Sequence, residues 1–112
     1  PPEEFPDGVN LEFVRQLGPQ HIAMRVFERG VGETRSCGTG TVAAAAVARV
    51  LDQDLTRLPV TYRVDTLGGS LEVELSEHLA YLTGPAVLVA HGDVALPERT
   101  AFKAEYPSAS DA

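Results

Sequence analysis

The single cysteine of the chain, Cys37, is the residue whose type and setting most favour chemistry. It precedes a Gly38-Thr39-Gly40 segment that opens an alanine-rich stretch predicted to be a helix. The first N–H groups of a helix have no partner inside it and carry the positive end of its dipole, so a thiol there ionises readily and an anion can bind beside it. A lone cysteine is more often a buried packing residue, but a glycine-rich turn favours the reactive thiol.

Two charged residues and one asparagine are the next candidates. Glu28 and Arg29 are adjacent, and the simplest interpretation is a pair of solvated charges at a strand end. The alternative is a clamp for a zwitterion, with Glu28 for an ammonium group and Arg29 for a carboxylate. Asn10 is either a surface strand residue or a further carboxylate donor. Glu33 and Thr34 either brace the loop or are solvated.

The elements that must position these residues follow from the hydrophobic pattern. A helix is predicted from Thr41 to about Leu51, apolar almost all round and therefore expected to be buried on every side. Alternating residues predict strands around 9–13, 22–26, 60–64 and 71–75. The apolar stretches at 79–82 and 86–90 are predicted to be two more strands. Residues 30–40 are predicted to be a loop. The fold class is therefore α+β, a curved, largely antiparallel β-sheet or barrel wrapped around one central apolar helix.

The predicted organisation is one domain over residues 9–97, with a linker or lead-in at 1–8 and a polar tail at 98–112. The chain has 112 residues and a net charge of −7, which disfavours nucleic acid as a partner. No apolar run approaches the ~20 residues that a membrane span needs. One cysteine cannot form an internal disulfide and fits a reducing compartment, so a cytoplasmic protein is expected. The three histidines lack ligand spacing with Cys37, so no metal site is expected.

The run Glu28-Arg29-Gly30-Val31-Gly32-Glu33-Thr34-Arg35-Ser36-Cys37-Gly38-Thr39-Gly40-Thr41, followed by the alanine-rich helix, resembles the second signature of the diaminopimelate epimerase family. The Val9–Phe13 strand is similar to that family too. The resemblance implies a two-domain isomerase that uses no cofactor and no metal. Its site lies between the domains, and each domain contributes one cysteine. The reaction interconverts LL- and meso-diaminopimelate on the bacterial route to lysine and peptidoglycan.

The resemblance also implies roles for individual residues. Cys37 matches the second catalytic cysteine, and Gly38 and Thr39 match residues whose N–H groups hold the carboxylate at the reacting centre. Glu28 and Arg29 match residues that hold the far ammonium and carboxylate groups, and Asn10 matches a further binder of that carboxylate.

The implied partners are an amino-dicarboxylate substrate, an N-terminal domain that carries the other cysteine, and a second copy in a homodimer. The chain is thus expected to be the C-terminal half of the enzyme. Inversion of a carbon needs an acid and a base on opposite faces, and the chain contains one cysteine. The chain alone is therefore expected to be inactive.

Two other functions stay open at this point. A proline racemase-like enzyme shares the implied fold, but the residues before its cysteine are usually of an Asp-Arg-Ser-Pro type, and here Gly-Glu-Thr precedes the site. A non-catalytic anion-binding domain with an inert cysteine is the other alternative. The reactivity of the Cys37 thiol distinguishes an inert cysteine from a catalytic one.

Overall fold

The computed structural model describes residues 1–52 and 57–98, so the predicted polar tail lies outside the described residues from position 99 onward. The described part contains one helix and six strands. In chain order they are β1 (Leu11–Gly18), β2 (His21–Glu28), β3 (Gly32–Thr34), α1 (Gly38–Leu51), β4 (Val60–Thr66), β5 (Gly69–Leu75) and β6 (Ala80–Thr83).

The strands form one mixed sheet in the order β1-β2-β4-β5-β6, with β3 paired to the end of β2. Four of the pairings are antiparallel, and β2 and β4 are parallel through residues 21–23 and 63–65. A parallel pairing needs a crossover connection, which α1 provides. The α+β class and the largely antiparallel sheet are confirmed. Within the described ranges the sheet ends at β1 and β6 and does not close into a barrel.

The core lies between one face of the sheet and one side of α1. Because successive side chains of a strand point to opposite faces, β2 presents Ile22, Met24 and Val26 to the helix, and all three are buried. Ala44 and Ala45 of α1 are buried against the same cluster. The small side chain of alanine lets the helix approach the sheet closely.

The helix differs from its prediction in two ways. It begins at Gly38, three residues earlier than predicted. It is also not buried on every side, because Val47, Val50 and Leu51 are 57%, 67% and 75% exposed. The sheet covers only one side of α1 among the described residues. No helix in this part of the chain is long and apolar enough to cross a membrane.

Two strand predictions and the loop prediction also change. The first strand begins at Leu11 rather than at position 9 and continues to Gly18, and the predicted loop at 30–40 contains β3. Residues 86–90 are not a strand, and Val87, Leu88 and Val89 are between 78% and 98% exposed. A short run of apolar, β-branched residues indicates the propensity for a strand, but a strand also needs a neighbouring edge that supplies hydrogen bonds.

Candidate functional site

Cys37 is the N-cap residue of α1. Its backbone is extended, with φ −139° and ψ 114°, and its side chain caps no N–H group. The Thr41 hydroxyl and the Thr41 N–H both donate to the Cys37 carbonyl, at 2.7 and 2.8 Å. Thr41 is fully buried, so this double contact fixes the Cys37 backbone. The thiol itself is half-buried, and its Sγ lies 3.5 Å from the Thr39 hydroxyl.

The loop before Cys37 is held by the turn between β4 and β5. The N–H of Gly68 donates to the Arg35 carbonyl at 2.9 Å, and the Arg35 guanidinium donates to the Leu67 carbonyl at 3.0 Å. A Cβ on Gly68 would lie 3.3 Å from the Arg35 oxygen. The absence of a side chain at Gly68 therefore permits this close approach, which ties a distant hairpin to the loop.

The start of α1 offers free backbone donors beside the thiol. Gly38 and Thr39 are exposed, and the first turn contains no acidic residue. Because the first N–H groups of a helix point out of its end unpaired, this end can accept a carboxylate. Gly40 is buried against β1, and a Cβ there would lie 2.6 Å from Oε1 of Glu12. Glycine at position 40 therefore leaves room for the Glu12 carboxylate next to the first turn.

Asn10 and Arg29 meet at the open end of the β1–β2 hairpin, which we call the hairpin end (residues 7–10 and 28–30). The backbone N–H of Arg29 donates to Oδ1 of Asn10 at 2.8 Å. The amide nitrogen of Asn10 therefore keeps both of its hydrogens for a ligand. The Arg29 guanidinium donates to the Asp7 carbonyl at 3.3 Å and is exposed. Two candidate carboxylate donors thus lie at one end of the hairpin.

Glu28 lies apart from the Arg29 side chain, although the two residues are neighbours in sequence. Glu28 is half-buried in β2, in phase with the buried residues that face the helix, and its carboxylate accepts a hydrogen bond from the Thr34 hydroxyl. The described residues contain no ion pair between Glu28 and Arg29. Each of the two charges is therefore available to a different group of a ligand.

Glu33 and Thr34, for which both loop bracing and solvation were open from the sequence, each have a hydrogen-bond partner on β2. Glu33 accepts two hydrogen bonds from the Arg25 guanidinium, at 2.5 and 2.8 Å, across the β2–β3 pair. The hydrogen bond from Arg25 lowers the pKa of Glu33, and the same contact raises the pKa of Arg25. Both side chains are exposed, and screening by water makes such pairs weak. Their main effect is to define the geometry of the short β3 strand.

The predicted site residues fall into two groups. Cys37, Gly38 and Thr39 lie together at the start of α1. Asn10 and Arg29 lie together at the hairpin end, where Glu28 is the last residue of β2. Over residues 1–52 and 57–98, no group of three or more His, Cys, Asp and Glu side chains is arranged to hold a metal ion.

Similarity to known proteins decides the family. The family model described as "Diaminopimelate epimerase" matches residues 1–89. The chain belongs to the diaminopimelate epimerase family. It is 55% identical over 97 residues to a protein of that name from Streptomyces coelicolor, a match that covers 83% of this chain and 34% of the relative. It is 52% identical over 92 residues to the diaminopimelate epimerase of Mycolicibacterium vanbaalenii, with 82% and 31% covered.

The chain spans about a third of the length of the curated epimerases it matches. The matched region nevertheless contains both groups of candidate site residues, because the family model extends from position 1 to position 89. The chain therefore carries both a candidate reactive group and candidate groups for binding a ligand.

Two residues near the candidate site were not predicted from the sequence. Thr41 holds the Cys37 backbone, and the signal for it was a hydroxyl four residues after the cysteine at the predicted helix start. Glu12 lies against Gly40 in the first turn of α1, and no local pattern links these two positions. The contact between Glu12 and Gly40 depends on how β1 packs against the helix.

Proposed function

We propose that the chain supplies one of the two acid/base groups of a diaminopimelate epimerase, and that this group is Cys37. The observation that carries the proposal is the position of the thiol at the N-cap of α1, beside the free N–H groups of Gly38 and Thr39, in a chain of this family. A nucleophilic or basic thiol needs such an electropositive, partly accessible setting.

The proposed reaction moves one proton at each face of the substrate α-carbon. A thiolate takes the proton on one face, the C–H electron pair passes into the neighbouring carboxylate, and a thiol on the opposite face returns a proton to the carbon. Each turnover ends with the two cysteines in exchanged protonation states. Cys37 acts as base in one direction and as acid in the other. The second thiol has to come from outside these 112 residues, which contain one cysteine.

The backbone at the start of α1 stabilises the charge that develops during this transfer. Negative charge grows on the carboxylate next to the reacting carbon, and donors aimed at the developing charge stabilise the transition state. The N–H groups of Gly38 and Thr39 donate hydrogen bonds to this carboxylate. The exposure of both residues at the helix end supports this role. Fixing the Cys37 carbonyl through Thr41 keeps the thiol and these donors in constant relative position.

The far end of the substrate binds to the hairpin end. Arg29 and the amide nitrogen of Asn10 donate to the far carboxylate, and Glu28 accepts from the far ammonium group. The hydrogen bond that orients the Asn10 amide supports this assignment. A ligand with charges at both ends explains why cationic and anionic groups occur together here.

The remaining parts of the enzyme are proposed as partners. An N-terminal domain supplies the other cysteine and closes the site, and the intact enzyme is a homodimer in the bacterial cytoplasm. The free thiol of Cys37 fits a reducing compartment. The relatives from Streptomyces coelicolor and Mycolicibacterium vanbaalenii are bacterial proteins named diaminopimelate epimerase, which supports this setting.

The experiment is a chimera in which this chain replaces the matching third of the Streptomyces coelicolor relative. The chimera is incubated with LL-diaminopimelate in deuterated water, and α-deuterium and the appearance of the meso isomer are followed. We expect turnover in the chimera and none in the 112-residue chain alone. The Cys37→Ala variant of the chimera should lose about 10²–10⁴-fold in kcat, the contribution of a positioned proton-transfer group.

Three results would contradict the proposal. The first is turnover by the 112-residue chain alone, since a single thiol would then suffice. The second is a folded chimera that leaves diaminopimelate unchanged, and the third is an unchanged kcat in the Cys37→Ala variant of the chimera. L-Proline serves as the second substrate, and turnover of proline in place of diaminopimelate would assign the chain to the racemase alternative.

A further inference from the structure

The segment just before β1 surrounds the Arg29 side chain at three points. Asn10 accepts the Arg29 backbone N–H at 2.8 Å, and the Asp7 carbonyl accepts from its guanidinium at 3.3 Å. Between them, a Cβ built on Gly8 would lie 3.2 Å from Cδ and 3.3 Å from Cγ of Arg29. Asn10, Gly8 and Asp7 therefore lie against the backbone, the aliphatic stem and the charged head of one arginine.

Gly8 is specifically suited to the middle of these contacts. Its φ is +79°, a conformation that L side chains rarely adopt. Its N–H donates to the Phe5 carbonyl at 3.0 Å, so a hydrogen-bonded turn holds it in place. Any Cβ at this position would press on the arginine stem at less than ordinary van der Waals distance. The missing side chain is the reason that Arg29 can lie along the segment.

We propose that Gly8 is a positioning residue for Arg29, and that its turn aims the guanidinium at the far carboxylate of the substrate; this rests on the proposed function of Arg29. Arg29 is exposed, and an exposed arginine loses much rotamer freedom when it binds a ligand. A side chain already laid along a rigid turn loses less of that freedom. Gly8 thus lowers the entropic cost of substrate binding without touching the substrate.

The chain offers a matched control for this proposal. Gly69 also has a positive φ, +137°, and a Cβ there would meet no atom within 4 Å outside its chain neighbours. It lies in β5, which pairs with β4 and β6 and not with the hairpin that carries Arg29. Gly8→Ala and Gly69→Ala therefore both strain the backbone, but only Gly8→Ala places a Cβ against Arg29. A third variant, Gly8→Asn, relieves part of the strain because asparagine tolerates this region, while it keeps the Cβ that contacts the arginine.

The first measurement uses the chimera defined above and its steady-state constants with diaminopimelate. Gly8→Ala and Gly8→Asn should both raise KM by about threefold to tenfold, the range expected when one long side chain loses its preorganisation. Their kcat should stay within about twofold of the parent, and Gly69→Ala should leave KM unchanged. Equal rises in KM for Gly8→Ala and Gly69→Ala would overturn the proposal, as would a parental KM in Gly8→Asn.

The second measurement does not depend on catalysis. The Nε–Hε signal of Arg29 in the NMR spectrum of the 112-residue chain, assigned with Arg29→Lys, should shift or broaden in both Gly8 variants and stay in place in Gly69→Ala. An unchanged signal in the Gly8 variants would overturn the contact itself. An inactive chimera with a displaced Arg29 signal would instead contradict the proposed function and leave the contact between Gly8 and Arg29 supported.

Discussion

The turn around Cys37 (residues 37–41) and the hairpin end are built from contacts of different range. At the Cys37 turn, the main hydrogen bonds join residues four apart, from Thr41 to Cys37. At the hairpin end, the bonds from Arg29 reach Asn10 and Asp7, which lie 19 and 22 residues away. The candidate reactive group is thus held mainly by its own helix, whereas the candidate binding group needs the register of β1 against β2.

This difference has a physical consequence for the two halves of the proposed reaction. These local contacts form together with the helix, so we expect the Cys37 turn to keep its geometry for as long as α1 is folded. The hairpin end depends on strand pairing, whose register fixes where Asn10 and Arg29 meet. Changes at the hairpin end should therefore alter substrate binding, and changes at the Cys37 turn should alter chemistry and stability.

Arg29→Lys should give the largest effect among the substitutions that test this separation. Lysine replaces a planar, bidentate donor by a point charge, and a hydrogen bond to a charged group is worth about 1.5–3 kcal/mol. KM of the chimera for diaminopimelate should rise about 10-fold to 100-fold with little change in kcat. Arg15→Lys is the matched control, because Arg15 pairs with Ala23 nearer the turn of the same hairpin. A fall in kcat alone, or an unchanged KM, would show that binding and chemistry are not divided in this way.

Thr41→Val tests the local half of the comparison with a smaller effect. Valine keeps the shape of the buried side chain but removes the hydroxyl that donates to the Cys37 carbonyl at 2.7 Å. The free energy of unfolding of the 112-residue chain, measured with urea, should fall by about 1 kcal/mol. Thr39→Val is the control at an exposed position of the same turn and should change it by less than about 0.5 kcal/mol. Equal losses in both variants would remove the special role of Thr41.

The smallest effect concerns a hydrogen-bond network outside both regions, where the start of β2 pairs with β4. Asp65 accepts hydrogen bonds from Ser70 at 2.5 Å and Arg63 at 3.0 Å, and its carboxylate lies 2.6 Å from His21 Nε2. The contacts with Ser70, His21 and Arg63 hold the pKa of Asp65 well below its usual range. A depressed carboxyl pKa stabilises the fold above the unfolded value of about 3.9, and this stability is lost as the pH falls.

The Asp65→Asn variant should therefore be slightly less stable at pH 7 and should lose less stability than the parent between about pH 5 and pH 3. Urea midpoints at a series of pH values measure both changes. Asp93→Asn, in an exposed segment without regular structure, is the control and should follow the parent. A parental pH profile in Asp65→Asn would contradict the contribution of this network to stability.

Several features followed from the sequence alone because their causes are local. The period-two pattern at Ile22, Met24 and Val26 predicted β2, and the same kind of pattern predicted the strands β4 and β5. The run from Glu28 to Thr41 predicted the family, which is confirmed. Helix propensity and glycine placement also put Cys37 at the start of the only helix in the described ranges. The roles of Asn10, Glu28, Arg29, Gly38 and Thr39 stay predictions.

Other features were decided only by the tertiary structure, because they depend on which elements meet. Residues 86–90 are a short apolar run that suits a strand but find no edge to pair with among the described residues. The helix is apolar all round, yet the sheet covers only one of its sides, which leaves Val50 exposed. Gly8 contacts Arg29 only because β1 and β2 pair in one register. Composition and periodicity indicate what each segment tends to form, whereas the packing of distant segments determines which side chains share a site.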